Sequence, residues 1–350
     1  MSGWRSAYSS SPYPHGGSIY DRLQRLRPEP ERVAPSRRAF LTGMAALVDA
    51  RVRLPGIPAT ASITLEALAQ VPEPSLDARL LDARGLQRVF LRVDSGKPAE
   101  RELLPRASQL LLAALEDCRQ LDDLDISASR IALLPPSGVS VERWLMQVLP
   151  IWPDDLIPGQ GFDLIASEPA AWLAEQFSAP QGPEYLLCLA VDSQVHVQSP
   201  SWHVPGAMPG ESIVLLLFRR QLPEGSPTTL PVWRTEVAEQ AVEAPSKQLE
   251  NVCEAHGVDK GRVGALIVES ARSVGQLRQL HQLLQGHLPA CEPEGVVDVS
   301  RLTGSIGPDH LRLAQLAVAR LAWSESRDVA LLAGADDAWL LAAEPAKAEA

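Results

Sequence analysis

The residues with chemistry to offer are few and widely spaced. The four cysteines are Cys118, Cys188, Cys253 and Cys291. None forms a Cys-x-x-Cys pair, so the spacing argues against a zinc site. Each lies in or beside an apolar segment, where cysteine behaves as a small hydrophobe. Cys188, in the middle of such a run, reads as inert core. His196 and His203 flank Trp202 in the loop after Asp192 and could line a pocket with it; as loop histidines they read first as solvated side chains. His310 opens a long apolar-faced helix and reads as a surface or capping residue. Ser167 precedes Glu168-Pro169 and suits the N-cap of a helix. As a nucleophile it would need a base within hydrogen-bond reach, and the sequence offers none. Gly159-Gln-Gly161 and Gly304-Ser-Ile-Gly307 lack the lysine and spacing of a phosphate-binding loop. The acidic residues show no metal-ligand spacing. No cofactor and no metal are expected.

These residues sit in a chain of 350 residues, 45% of them hydrophobic. That length fits two ordinary domains or one large pseudo-duplicated one. The net charge of −11 argues against a nucleic-acid partner, because phosphate binding wants a basic face. Residues 1–38 carry seven arginines against Asp21, Glu29 and Glu31, a net +4, which leaves −15 on the remainder. This leader is rich in Ser, Pro, Gly and Tyr and reads as a flexible basic arm. No apolar run approaches the roughly 20 residues that span a bilayer, and no signal-peptide core is visible. Four scattered cysteines fit a reducing compartment. The expectation is a soluble, cytoplasmic protein with no membrane partner.

Apolar spacing places the elements that must position these side chains. Helical spacing runs over Arg38–Asp49. Ser62–Ala69 forms a short element, and Gln87–Val93 alternates as a strand. Leu103–Cys118 is a helix with Leu103, Leu104, Ala107, Leu110, Leu111, Ala114 and Leu115 on one stripe. Ser129–Leu134 is a buried strand stopped by Pro135-Pro136, and Val141–Leu149 a helix. A further helix starts near Ser167. Glu184–Ser193 and Pro209–Phe218 are nearly continuous apolar runs, which marks strands buried on both faces. A linker around Leu222–Thr228 follows. Then come a helix over Thr235–Cys253 broken at Pro245, a strand over Arg262–Glu269, a helix over Ser273–His287 and a short strand over Val296–Val299. Arg301–Gly307 is a loop and His310–Trp323 a long helix. Asp328–Gly334 and Ala338–Ala343 form a hairpin.

This order resembles the thiolase-like superfamily, which includes the ketoacyl synthases. The resemblance runs from about Arg38 to Glu344. Three stretches carry it: the strand pair Glu184–Ser193 and Pro209–Phe218, the loop Leu302–Gly307 with its following helix, and the terminal hairpin. It implies an α/β fold, layered αβαβα, in two pseudo-repeated halves. The halves would be residues 39–228 and 229–344, with an arm at 1–38 and a tail at 345–350. The resemblance also implies a cysteine nucleophile at the start of a helix, where the positive helix end lowers the thiol pKa. Here that helix begins near Ser167, and Leu164, Ile165, Ala166 and Ser167 include no cysteine. The family's Gly-His loop reads Gly304-Ser305. Its other histidine should follow the strand ending at Val268, where the sequence reads Glu269-Ser270-Ala271. Ser167, Ser270 and Ser305 therefore occupy degenerate site positions.

Loss of all three reactive positions implies a non-catalytic scaffold. The superfamily's strand pairing across a two-fold implies a homodimer, or a heterodimer with another thiolase-like protein, with the Cys188 strand or its neighbour at the seam. Degenerate proteins of this kind are similar to accessory proteins encoded beside type VI secretion effectors. That implies an adaptor or chaperone that loads a secreted effector or spike protein. Two alternatives stand beside it: an acyltransferase or ketosynthase-type enzyme with a non-standard nucleophile such as Ser167, and a chain-length-factor-like partner of an active ketosynthase.

Overall fold

The structure is a computed structural model. The residues it describes are 46–57, 65–81, 85–98, 100–121, 124–165, 169–178, 182–204, 206–220, 232–235, 253, 259–269, 274–323, 328–333 and 337–341. The basic arm and the tail expected from the sequence lie outside them, as does nearly all of the helix expected over Thr235–Cys253.

Two five-stranded sheets organise the chain. The first contains β1 (Ala46–Arg53), β2 (Ser129–Leu134), β3 (Phe162–Leu164), β4 (Tyr185–Ser193) and β5 (Glu211–Arg219) in the order β1-β5-β4-β2-β3. The second contains β6 (Val232–Thr235), β7 (Val263–Val268), β8 (Val296–Asp298), β9 (Asp328–Ala333) and β10 (Asp337–Leu341) in the order β6-β10-β9-β7-β8. The second order repeats the first strand for strand. The pairing senses repeat too. β2 is parallel to β3 and β4, as β7 is to β8 and β9, while β5 and β10 run antiparallel to both of their neighbours. The pseudo-repeat expected from the family resemblance is thus present in topology and in direction.

Helices fill the spaces between and outside the sheets. They are α1 (Leu65–Ala69), α2 (Leu103–Cys118), α3 (Val141–Val148), α4 (Pro169–Ser178), α5 (Val274–His287), α6 (Val299–Thr303) and α7 (Pro308–Trp323). Every residue of β4 is buried. Its side chains alternate faces, as a strand's must. Leu186, Cys188 and Ala190 join a core shared with Ala265 and Ile267 of the second sheet. Leu187, Leu189 and Val191 join the core under α2 and α3. α7 lies between the sheets and touches strands of both. It is buried nearly all round, with Ala314, Ala317, Ala319 and Ala322 letting the backbone layers approach. A helix apolar on all faces belongs in such an interior position. α5 covers the far face of the second sheet through Leu283, against Leu266 and Val268. The layers are αβαβα.

Three elements differ from their sequence expectation. Arg38–Asp49 reads as helix; residues 38–45 lie outside the described residues, and 46–49 belong instead to strand β1. A bulge between Leu47 and Asp49 breaks the strand's alternation there. Gln87–Val93 joins neither sheet. It makes isolated bridges through Gln87 and Phe90 and closes a small core of Leu80, Phe90, Val195 and Trp202. The first part of Arg301–Gly307 is the end of α6, whose start Asp298 caps by accepting from the Arg301 amide. The seam assigned to the Cys188 strand is also corrected. β4 is flanked by β5 and β2, and β2 by β3, so neither β4 nor its neighbours border the sheet; β1 and β3 do.

The halves are joined backbone to backbone. The Ser305 amide donates to the Met208 carbonyl at 2.7 Å, and the Gly210 amide to the Ser305 carbonyl at 3.2 Å. A Cβ on Gly210 would lie 1.7 Å from the Thr303 carbonyl oxygen. Only glycine fits this crossing. Gly210→Ala should therefore lower the unfolding free energy by about 1–3 kcal/mol, read by urea denaturation. Gly286→Ala has open space in α5, and should instead stabilise by about 0.4–1 kcal/mol.

Candidate functional site

The segments following β2 and preceding α7 meet the carboxyl end of β4 at Asp192. β3 ends at Leu164 and α4 begins at Pro169, so the turn containing Ser167 falls between two described elements and is itself outside the described residues. Ser270, just beyond β7, is also outside them. Ser305 is described and half-buried. Its backbone amide and carbonyl are both committed to the seam with residues 208–210.

The centre of the region is Asp192, which is 0% exposed at the end of β4. A buried carboxylate must be surrounded by donors. Its Oδ1 accepts from the Ser137 amide at 2.9 Å. Its Oδ2 accepts from the Ser137 hydroxyl at 3.1 Å and from the Gly307 amide at 2.7 Å. Gly307 immediately precedes α7, so the carboxylate also meets the positive end of that helix. A Cβ on Gly307 would lie 1.9 Å from Ser137 Oγ, which explains the glycine.

His310 is 2% exposed, which overturns its reading as a surface residue. α7 starts two residues before it, at Pro308, and places the ring in the first turn facing β4. Its Nδ1 lies 3.9 Å from Asp192 Oδ2 and 3.5 Å from Ser137 Oγ. Burial pushes its pKa down, opposed by the charges of Asp192 and Asp309. The three residue types of a hydrolytic triad are thus together, but in the wrong order. A triad sets the hydroxyl on one ring nitrogen and the carboxylate on the other. Here both face Nδ1, the hydroxyl donates to the carboxylate, and Nε2 has no hydrogen-bond partner among the described residues. The cluster ties the 135–139 loop, β4 and α7 together; it does not activate Ser137.

Beside it is a second buried charge pair. Arg106 of α2 is 1% and Glu211 of β5 0% exposed. Arg106 Nε donates to Oε1 at 2.9 Å and Nη2 to Oε2 at 2.7 Å, the bidentate geometry of strong pairs. Nη2 also donates to the Val93 carbonyl at 2.7 Å, and Nη1 donates to Ser95 Oγ at 2.9 Å and Gln109 Oε1 at 3.0 Å. Glu211 accepts in addition from Ser193 Oγ at 2.8 Å and the Val93 amide at 3.0 Å. Sequence reasoning missed this pair. Its signal was Arg106 on the apolar stripe of α2, between Leu103 and Leu110.

The cysteines are all buried. Burial pushes the Cys118 thiol up to about 12 and raises Cys188 as well, the reverse of an activated nucleophile. Cys188 is core, as its mid-strand position implied. His196 is buried and His203 exposed. The Trp202 indole donates to the His196 carbonyl at 2.6 Å, which ties the loop into the small core around Phe90. Among the described residues no group of His, Cys, Asp and Glu could hold a metal ion, and no helix is long and apolar enough to cross a membrane.

The fold has solved counterparts. A structure titled "The ishigamide ketosynthase/chain length factor" superposes with a TM-score of 0.52 at 14% identity, covering 85% of this chain and 98% of that one. A tetronic acid condensing enzyme, AbyA1, gives 0.52 at 12% identity, over 85% and 99%. A ketosynthase from module 6 of the bacillaene synthase of Bacillus subtilis 168 gives 0.54 at 12% identity, over 87% and 71%. These likenesses establish a thiolase-like fold of the ketosynthase type. No protein-family model matches the sequence, and no curated protein matches it.

Two outcomes follow from the buried charges. Arg106→Met leaves Glu211 buried without its cation and should cost about 3–5 kcal/mol in urea unfolding; adding Glu211→Leu should recover part of that loss. His310 is held neutral in the fold, so its contribution is full above its unfolded pKa of about 6.5 and declines as pH falls below that value. Stability should drop by up to about 1.4 kcal/mol per pH unit from this residue, and His310→Gln should flatten the slope between pH 6.5 and 5.

Proposed function

We propose that this chain is a non-catalytic thiolase-fold protein that works as a partner subunit, an adaptor in a protein complex. The observation that carries the reading is where the thiols are. All four are buried, and none stands on the turn between β3 and α4. Ser167, Ser270 and Ser305 stand where the family resemblance expects cysteine and histidine. The buried carboxylate and imidazole nearby are arranged to hold loops together.

The surface supports a partner role. β3 borders its sheet, and Met146, Leu149, Ile157 and Phe162 are exposed in the chain leading to it. An open strand edge flanked by large apolar side chains suits association with another protein. Among partners, a ketosynthase-type chain is favoured. Two of the structural neighbours are titled as ketosynthase and chain length factor together, so the chain-length-factor-like form of the proposal has a counterpart in the same fold. A secreted effector or spike protein is the partner in the adaptor-for-secretion form, which rests on the resemblance to type VI accessory proteins.

Incubation with acyl-CoA or an acyl-loaded carrier protein, followed by intact-mass measurement, tests the non-catalytic reading. The expected result is no covalent adduct. An acyl adduct that disappears in Ser167→Ala would replace the proposal with an acyltransferase. Co-purification with an active ketosynthase supports the chain-length-factor-like form, and co-purification with a secreted effector supports the adaptor form.

A further inference from the structure

We infer that the cavity between α1 and the β8–α6 corner binds a small zwitterion, a free α-amino acid with an aliphatic side chain. The site is independent of the partner-subunit reading and of the Asp192 cluster.

The cavity has a volume of about 180 Å³. That is below the roughly 300–1,000 Å³ of sites for drug-sized ligands and well above the roughly 30 Å³ of one liquid water. A nucleotide or coenzyme is too large for it, and a molecule of amino-acid size is not. Leu68 and Val71 line it from the α1 side, and Val296 and Leu302 from β8 and α6. Leu68 and Leu302 are 3% and 2% exposed and belong to the core between the sheets, so this apolar lining is fixed in place.

The polar lining is Gln70, Glu294, Asp298 and Arg301, with Pro293 beside them. Asp298 is already engaged: its Oδ1 accepts from the Ser300 hydroxyl at 2.8 Å and from the Arg301 amide at 3.2 Å. The Arg301 guanidinium and the Glu294 carboxylate are not. Among the described residues neither forms an ion pair, with the other or with any neighbour. Unpaired charges are ordinary on a surface. These two differ in lining one cavity against buried leucines without closing on each other.

Their places in the chain hold them apart. Glu294 lies in the turn before β8 and Arg301 in the helix after it. The three-residue β8 between them spans about 10 Å. It also borders its sheet, so one of its backbone edges has no strand beside it. A cation and an anion kept separate along an apolar slot match a ligand that carries both charges. The ligand's carboxylate meets the planar fork of Arg301. Its ammonium meets Glu294, and its side chain covers Leu68 and Leu302. A plain carboxylate would leave its charge facing Glu294, and a plain amine would leave Arg301 unmet.

Isothermal titration calorimetry of the full-length chain with L-leucine, isocaproate and isoamylamine tests the inference. The last two keep the aliphatic chain and lose the ammonium or the carboxylate. L-Leucine should bind with a Kd of about 1 mM or tighter, and each analogue at least about tenfold more weakly. Arg301→Met and Glu294→Gln should each weaken leucine binding at least about tenfold. Both side chains are exposed, and an unchanged urea midpoint shows that each variant is folded. The analogue comparison on the wild type decides the question should either substitution disturb the fold. Absence of leucine binding at millimolar concentration overturns the inference. So does an analogue that binds as tightly as leucine, or a folded variant that binds leucine like the wild type. None of these outcomes bears on acyl transfer or on partner binding.

Discussion

A carboxylate shut away from water must find its donors in the protein, and Asp192 finds them in two halves of one chain. Ser137 supplies an amide and a hydroxyl from the first half, and Gly307 supplies an amide from the second. Because Gly307 opens α7, satisfying this one side chain fixes where the central helix begins. α7 in turn touches strands of both sheets. The layered core therefore depends on a polar contact at its rim. Gly307 is held close by having no side chain, just as Gly210 is at the crossing with Thr303.

The same region is held by buried polar groups that the protein itself satisfies. Here Asp192 and Glu211 have their oxygens filled by protein donors, and Arg106 spreads its donors over Glu211, Val93, Ser95 and Gln109. Cys118 and Cys188 are deep in the cores, where desolvation opposes the thiolate. Polar groups so satisfied rigidify a site.

Much of the fold was legible before any coordinates. The helix over Leu103–Cys118 and the strand over Ser129–Leu134 match their expected limits. Both have strong periodicity and clear stops, a proline pair in the case of β2. β4 and β5 were legible as continuous apolar runs because both of their faces are buried. The three-residue β3 was not legible, since a strand so short has no period to read. The start of β1, residues 46–49, was read as the end of a helix, and its bulge leaves no clean alternation there. Of the site, Asp192 was visible at the end of an apolar run, just before the loop that carries His196 and His203. His310 was assigned to the wrong environment because a helix start looks the same in sequence whether it meets solvent or a neighbouring strand.

By itself the sequence determined most of the local elements, which follow from residue type and period. The repeat in two halves and the position expected for a nucleophile came from the family resemblance. Tertiary structure decided which charges are buried and with whom. Arg106 and Glu211 are 105 residues apart in the chain, and Asp192 and Gly307 are 115 apart. No local pattern encodes a pairing across such separations. Tertiary structure also decided which strands border the sheet, because that depends on the order in which strands assemble and not on the order in which they occur. For that reason the three-residue strand that periodicity could not find lies at the sheet's border, while the fully buried β4 lies at its centre.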